Sequence, residues 1–194
     1  KPIIIHTLEK FLLSPSLDRI SIGVHPSWVS YLNDLIIKHI SDPSKIYVVE
    51  GGTDRNSTIF NIIEAIEENY GANDEHIIVT HDAVRPFVTL RIIEENIEAA
   101  IKYKACNTVV KATDTIVESL DGKSISNIPP RKYMYQGQTP QSFNISKLKL
   151  LYNSLSEEEK EGLTDACKIF VQRDEYVHLV EGEVANMKIT TVND

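Results

Sequence analysis

The apolar residues of this chain switch between helical and strand spacing again and again, and that alternation limits the fold more than any other feature. Ile4, Leu8, Phe11 and Leu12 share one helical face behind Pro2, a residue suited to a first turn. Ser14-Pro15-Ser16 stops that helix, and Arg19-Ile20-Ser21-Ile22-Gly23-Val24 alternates as a strand does. Pro26 opens a second helix with Trp28, Tyr31, Leu32, Leu35 and Ile36 facing inward. Lys45 to Glu50 reads as a strand ended by Gly51-Gly52, followed by a helix striped with Ile59, Ile62, Ile63 and Ile66. Ile77-Ile78-Val79-Thr80 is a continuous apolar run of the buried parallel-sheet kind, expected to be central. Arg91 to Lys102 is helical and Asn107 to Lys111 a strand. Strands spaced by helices predict an α/β fold with a mostly parallel sheet.

From Thr115 the rhythm changes. Thr115 to Glu118 and Ser124 to Ser126, joined through Asp121-Gly122, predict a β-hairpin that projects as an arm over residues 113–131. Lys147 to Leu155 and Glu157 to Leu163 are helical, and Tyr176 to Val180 and Met187 to Thr191 read as late strands. The 194 residues suit one domain with one core, spanning 1–194.

Charge and composition narrow the class. Twenty Lys+Arg against 28 Asp+Glu give a net charge of −8, which argues against nucleic-acid binding yet leaves room for a small anion held by local cations. Runs such as Ile3-Ile4-Ile5 are too short to enter and cross a membrane. Cys106 and Cys167 have apolar neighbours and no CxxC or Cys/His metal spacing, as expected of buried, reduced thiols in a cytoplasmic protein. No signal peptide is visible, and the chain opens with Lys1-Pro2, without an initiating Met.

In a doubly wound fold, ligands sit at the carboxyl ends of the strands, so the residues that follow strands matter most. Gly51 to Thr58 joins a strand to a helix. It is either a capped turn or a cradle in which free N–H groups, Arg55, Ser57 and Thr58 meet an anion. Thr80-His81-Asp82-Ala83-Val84-Arg85 ends the most apolar strand. Asp82 there is either a Mg²⁺ ligand or half of a structural pair with Arg85, and His81 reads as a packed histidine. Arg131 and Tyr135 to Gln141 form a polar stretch with two turn formers, either a plain loop or a surface for a polyol or phosphate. Thr164-Asp165 reads as a helix cap. Lys188 faces either solvent or a phosphate. There is no Ser or Cys nucleophile paired with a His, no GxxxxGK[ST] and no GxGxxG. The chemistry that fits is phosphoryl or nucleotidyl transfer, in which protein groups position and neutralise charge.

Gly51-Gly52, Arg55 and Thr58, then His81 to Phe87, Ala112-Thr113-Asp114-Thr115, Gln138-Thr139-Pro140-Gln141, Thr164-Asp165 and Asn186 to Thr190 come in one order. In that order they resemble CTP-dependent cytidylyltransferases of the methylerythritol-phosphate type over nearly the whole chain. Within that superfamily, Val84 to Phe87, Tyr135 to Phe143 and Leu163 to Ile169 are most similar to ribitol-5-phosphate cytidylyltransferases of teichoic-acid biosynthesis, with the methylerythritol enzymes as the alternative. The resemblance implies a Rossmann-like nucleotidyltransferase fold whose β-arm serves a homodimer. It implies that CTP and D-ribitol 5-phosphate give CDP-ribitol and pyrophosphate, with Mg²⁺. It assigns Gly52, Thr53, Asp54, Arg55, Asn56, Ser57, Thr58 and Ala83 to the nucleotide and Asp82 to the metal. Arg85, Thr115, Thr139 and Thr164 fall to the acceptor, and Arg131 and Lys188 to catalysis. Such families begin with a strand and a glycine-rich loop that Lys1-Pro2-Ile3 does not match. These 194 residues as written are therefore expected to turn over little. A non-catalytic nucleotide-binding module is the competing class.

Overall fold

The computed structural model describes residues 1–71, 73–163 and 165–191. Through residue 111 it follows the expected alternation. Helix α1 (Ile3–Phe11) buries Ile5, Leu8 and Phe11. Strand β1 (Ile20–Val24) is followed by a 3-10 turn at Pro26–Trp28 and helix α2 (Val29–His39). That turn shifts the helical phase. Trp28 and Tyr31, expected inward, are 56% and 54% exposed, and Leu32 and Ile36 form the buried stripe instead. Strand β2 (Ile46–Glu50) lies parallel to β1, with Ile22 opposite Val48. Helix α3 (Arg55–Tyr70), strand β3 (Ile77–Thr80), helix α4 (Leu90–Tyr103) and strand β4 (Ala105–Lys111) complete this half.

The second half departs from the sequence pattern in three places. The polar stretch read as a loop is strand β5 (Tyr135–Asn144), the ten-residue centre of a sheet ordered β3-β5-β4-β6. Most of its buried side chains find hydrogen-bond partners, which offsets the cost of burial, although Gln141 Oε1 has none. Thr108 Oγ1 donates to Pro140 O at 2.7 Å, Gln141 Nε2 to Asn107 Oδ1 at 3.3 Å, and Asn144 Nδ2 to Asp74 O at 2.6 Å. The predicted hairpin is reduced to one antiparallel bridge, Glu118 with Asn127. The turn itself is as expected: Gly122 takes φ +67°, and the Asp121 carboxylate accepts from the Lys123 and Ser124 N–H groups. Met187–Thr191 is not a strand. After β6 (His178–Glu181) the chain leaves the sheet at Gly182, where a Cβ would stand 2.5 Å from Gln138 Oε1.

Helices α5 (Ile145–Asn153), α6 (Glu157–Glu161) and α7 (Cys167–Val171) precede β6. β5 runs antiparallel to both neighbours, so β3, β4 and the parallel β6 share one direction. The architecture is α/β with mostly parallel strands. β3, expected to be central, pairs only with β5 among the described residues. The free edges of β1 and β3 line a cavity of about 1050 Å³ with Ile20, Ile22, Ile77 and Val79, and the cavity reaches Gly52 and Asp82. Below the sheet, α3, α5 and α7 enclose Ile63, Phe143, Leu148 and Phe170, with the two phenyl rings 5.3 Å apart. On the other face α4 buries Ile92 and Ile93 against Phe11 and Val88.

Candidate active site

Two strand ends meet at the site. At the first, Gly51 N donates to Val24 O at 2.8 Å and closes β1 onto β2. Asp54 then caps α3. Its carboxylate accepts from Ser57 N, and Ser57 Oγ accepts from Asp54 N, each at 2.9 Å. Gly52 N donates to Thr58 Oγ1 at 2.9 Å, and that hydroxyl donates to Asp54 O at 2.7 Å. The Ser57 and Thr58 hydroxyls therefore hold the turn together. The group that leaves it is Arg55, whose Nε lies 3.8 Å from Asp82 Oδ1. Its Nη1 is enclosed without a hydrogen-bond partner, and so is Asn56 Oδ1. A buried guanidinium N–H left unpaired is costly, and an anion is the ligand that satisfies it.

The second strand end is His81 to Arg85. Arg85 N donates to Asp82 O at 3.0 Å to form a turn, and Arg85 Nε reaches Asp82 Oδ2 at 3.2 Å. Lys188 Nζ stands 3.3 Å from the same oxygen. Lys188 gets there because Asn186, fully buried, fixes the segment before it. Asn186 Nδ2 donates to Thr139 O at 2.8 Å, and its own carbonyl accepts from Arg85 Nη1 at 2.8 Å. Ile189 N then donates to Val84 O at 2.9 Å.

Asp82 is thus one carboxylate, 14% exposed, among three cations. Burial alone would raise its pKa. The charge of Lys188, the hydrogen bond from Arg85 and the charges of Arg55 and Arg85 outweigh burial and lower it. The cluster keeps an excess of positive charge at the carboxyl ends of β2 and β3, although the chain as a whole carries −8. Such an arrangement attracts anions.

A bulge brings β5 into this corner. Between the pairs Asn107–Gln141 and Val109–Gly137, the three residues Gln138, Thr139 and Pro140 face Thr108 alone. Bulges re-aim side chains beside active sites. Here Thr139 Oγ1 accepts from Asp82 N at 3.1 Å and meets His81 Nδ1 at 3.0 Å. The His81 ring packs on Phe11, with centroids 4.9 Å apart. Burial, ahead of its hydrogen bond to Arg85 O, pushes its pKa down to about 4.

The sequence model of the 2-C-methyl-D-erythritol 4-phosphate cytidylyltransferase (IspD) family matches residues 1–194. The chain belongs to this family. It is 28% identical to the 4-diphosphocytidyl-2C-methyl-D-erythritol synthase of Anaerococcus prevotii, covering 100% of this chain and 82% of that one, with a TM-score of 0.83. The 2-C-methyl-D-erythritol 4-phosphate cytidylyltransferase of Francisella tularensis shares the fold at 24% identity and a TM-score of 0.82, over 100% of this chain and 84% of that one. That of Thermus thermophilus shares it at 23% identity and 0.73, over 98% and 83%.

The IspD-type chain does not gather every expected site residue into one place. Arg55, Asp82, Arg85 and Lys188 converge, and Thr139 abuts them. Ala83 is exposed beside them, and its carbonyl accepts from Thr7 Oγ1 at 2.7 Å. Arg131 makes no ion pair with Asp82. Its Nη1 donates to Thr113 O at 3.0 Å at the base of the arm, and Thr115 is exposed on the arm. Thr164 lies outside the described residues. Asp165 does cap the helix start, accepting from Lys168 N at 3.0 Å. Sequence reasoning gave no role to Thr7 or Asn186. Nothing in a lone hydroxyl or amide says that it will be buried against a loop 76 residues away or donate to a strand carbonyl 47 residues away.

Proposed function

We propose that this IspD-family enzyme transfers cytidylate from CTP to D-ribitol 5-phosphate, giving CDP-ribitol and pyrophosphate in the cytoplasm. The observation that carries the transfer is the grouping of Arg55, Arg85 and Lys188 around Asp82 at two strand ends. The choice of acceptor is supported by Tyr135 to Phe143 and Leu163 to Ile169, the segments most similar to ribitol-5-phosphate enzymes. Methylerythritol phosphate is the second reading, favoured by the family model and by the relatives' names.

In this reading, an acceptor phosphate oxygen attacks the α-phosphorus of CTP in line, and pyrophosphate leaves. The Gly52–Thr58 turn, held closed by the Ser57 and Thr58 hydroxyls, sets the start of α3 and Arg55 toward the nucleotide, with Thr53, Asp54, Asn56 and Ala83 alongside. Arg55 supplies its unpaired Nη1, and Lys188, half exposed, meets the phosphates as a movable point charge. Arg85 and Thr139 face the acceptor, and the family resemblance assigns Thr164 to it as well. Arg131 and Thr115 act across a homodimer formed through the arm, whose Val117, Leu120, Ile125 and Ile128 are exposed. Placing cations before charge develops, and holding two anions in line, supplies the rate.

Asp82 is the carboxylate the family resemblance assigns to Mg²⁺, and it would hold the ion in place of part of its present pairing with Arg55, Arg85 and Lys188. No cluster of three or more His, Cys, Asp or Glu fit to hold a metal occurs among the described residues. One carboxylate completed by substrate phosphates suits Mg²⁺, which is seldom held in an all-protein cage. When bound, the ion neutralises phosphate charge.

Pyrophosphate release from CTP tests this with the natural full-length polypeptide, comparing ribitol 5-phosphate and methylerythritol 4-phosphate side by side. Faster release with ribitol phosphate supports the proposal, and faster release with methylerythritol phosphate selects the second reading. Thermal stabilisation by CTP with no release from either acceptor would instead identify a binding module. Lys188→Ala is expected to lower turnover about 100–1000-fold with the unfolding midpoint unchanged. Unaltered kinetics would remove Lys188 from the site.

A further inference from the structure

We propose that His81 is a positioning residue: held as its Nε2–H tautomer, it clamps both ends of the Asp82–Arg85 turn and so fixes where the Asp82 carboxylate stands. For the neutral ring the hydrogen-bond directions leave one tautomer. Arg85 O can only accept, so His81 Nε2, 3.1 Å away, carries the proton. Asp82 N can only donate, so Thr139 Oγ1 accepts from it at 3.1 Å. The Thr139 hydroxyl proton then points to His81 Nδ1 at 3.0 Å, the ring nitrogen left as acceptor. The relay reads Asp82 N–H to Thr139 O–H to His81 Nδ1, and His81 Nε2–H to Arg85 O.

This relay grips the first residue of the turn at its N–H and the last at its carbonyl, while Arg85 N to Asp82 O closes the turn from inside at 3.0 Å. The reverse tautomer would set a ring lone pair against the Arg85 carbonyl and leave the Thr139 proton, 5% exposed, with no acceptor. Phe11 on α1 packs against the ring and holds its plane. Phe11 on α1, His81 at the end of β3 and Thr139 in the β5 bulge therefore help to fix one carboxylate that none of the three bonds through its side chain. Asp82 in turn sets the spacing of Arg55, Arg85 and Lys188, so a small shift of the turn moves every charge at the site.

The kinetic consequence rests on the cytidylyl-transfer reading, whereas the tautomer does not. With ¹⁵N-histidine in the full chain, long-range ¹H–¹⁵N spectra are expected to show His81 protonated at Nε2 and bare at Nδ1. In Thr139→Val, Nδ1 loses its donor and its resonance moves downfield, while Thr139→Ser restores the wild-type position. A protonated Nδ1, or rapid averaging between tautomers, overturns the proposal whether or not the protein turns over CTP. In the assay, His81→Phe keeps the packing on Phe11 without the nitrogens. It is expected to lower kcat about 10–100-fold, the range for outer-shell partners of a functional ligand, with KM for CTP unchanged within about twofold. His81→Gln, which offers an N–H and a carbonyl from one amide, is expected to recover most of that loss. A rise in KM with kcat preserved, or a His81→Gln variant as slow as His81→Phe, contradicts positioning. Absence of cytidylyl transfer in the wild type defeats the functional reading alone and leaves the spectra to judge the clamp.

Discussion

Acidification between neutral pH and about pH 4 tests the same ring through folding energy. His81 has an ordinary pKa of 6.5, and burial, only partly offset by its hydrogen bond to Arg85 O, lowers it to about 4 in the fold. In that interval the unfolded chain binds the proton and the native chain resists it. The stabilising contribution of the neutral ring is therefore complete above pH 6.5 and is lost as pH falls through the interval. A gap of roughly two and a half pH units, at about 1.36 kcal/mol each, gives about 3 kcal/mol. For a domain of this size each kcal/mol moves the unfolding midpoint by roughly 2–4 °C, so about 6–12 °C is at stake. The assay is thermal unfolding of wild type and His81→Phe at matched ionic strength from about pH 7 to about pH 4.5, most of the interval. The wild-type midpoint is expected to fall more steeply, by most of that amount. Asp82 and Asp54 confuse little, because their pKa values are lowered from 3.8 and their contributions disappear only below that range. Parallel slopes for the two proteins would show that the ring gains its proton as easily in the fold as out of it, and the reasoning would fail.

Two more expectations follow from close packing and burial. In Gly52→Ala, the new Cβ would stand 2.3 Å from Ser57 Oγ and 2.9 Å from the Ser57 backbone carbon, so the capping box must open. Urea unfolding should show a loss of about 1–3 kcal/mol, and an unchanged midpoint would mean the turn relaxes freely. Burial raises the Cys106 thiol to about 12 and raises Cys167 as well. Neither should react with a disulfide reagent at neutral pH until denaturant is added. Fast labelling of the native protein would contradict their burial.

The candidate site was legible to the extent that its residues sit next to strand ends. Gly51-Gly52 after β2 and His81-Asp82 after β3 stood out because an apolar run stopped at a polar group with no packing purpose. Of the two readings offered for Asp82, the pair with Arg85 is present, with Arg55 and Lys188 beside it; a role toward Mg²⁺ belongs to the proposed function. Ser57 and Thr58 looked like ligand donors, but a hydroxyl one helical turn from a strand end serves equally well as a cap, and here both do. Strand β5 was hidden because alternation of apolar and polar residues reports a sheet with one wet face. β5 is buried, polar and broken by Gly137 and Pro140, so its strand character comes from partners on β3 and β4.

Spacing and local chemistry along the chain sufficed for the order of helices and strands through residue 111, the caps and the Asp121-Gly122 turn. Each depends on neighbours a few residues apart, within reach of backbone geometry and side-chain period. Tertiary structure alone decided that β3 borders an open cavity, that a three-residue bulge turns Thr139 toward Asp82, and that Asn186 carries Lys188 to a carboxylate more than a hundred residues away. Those contacts join segments with no common period, and their energy comes from burying and pairing polar atoms once the core has brought the segments together.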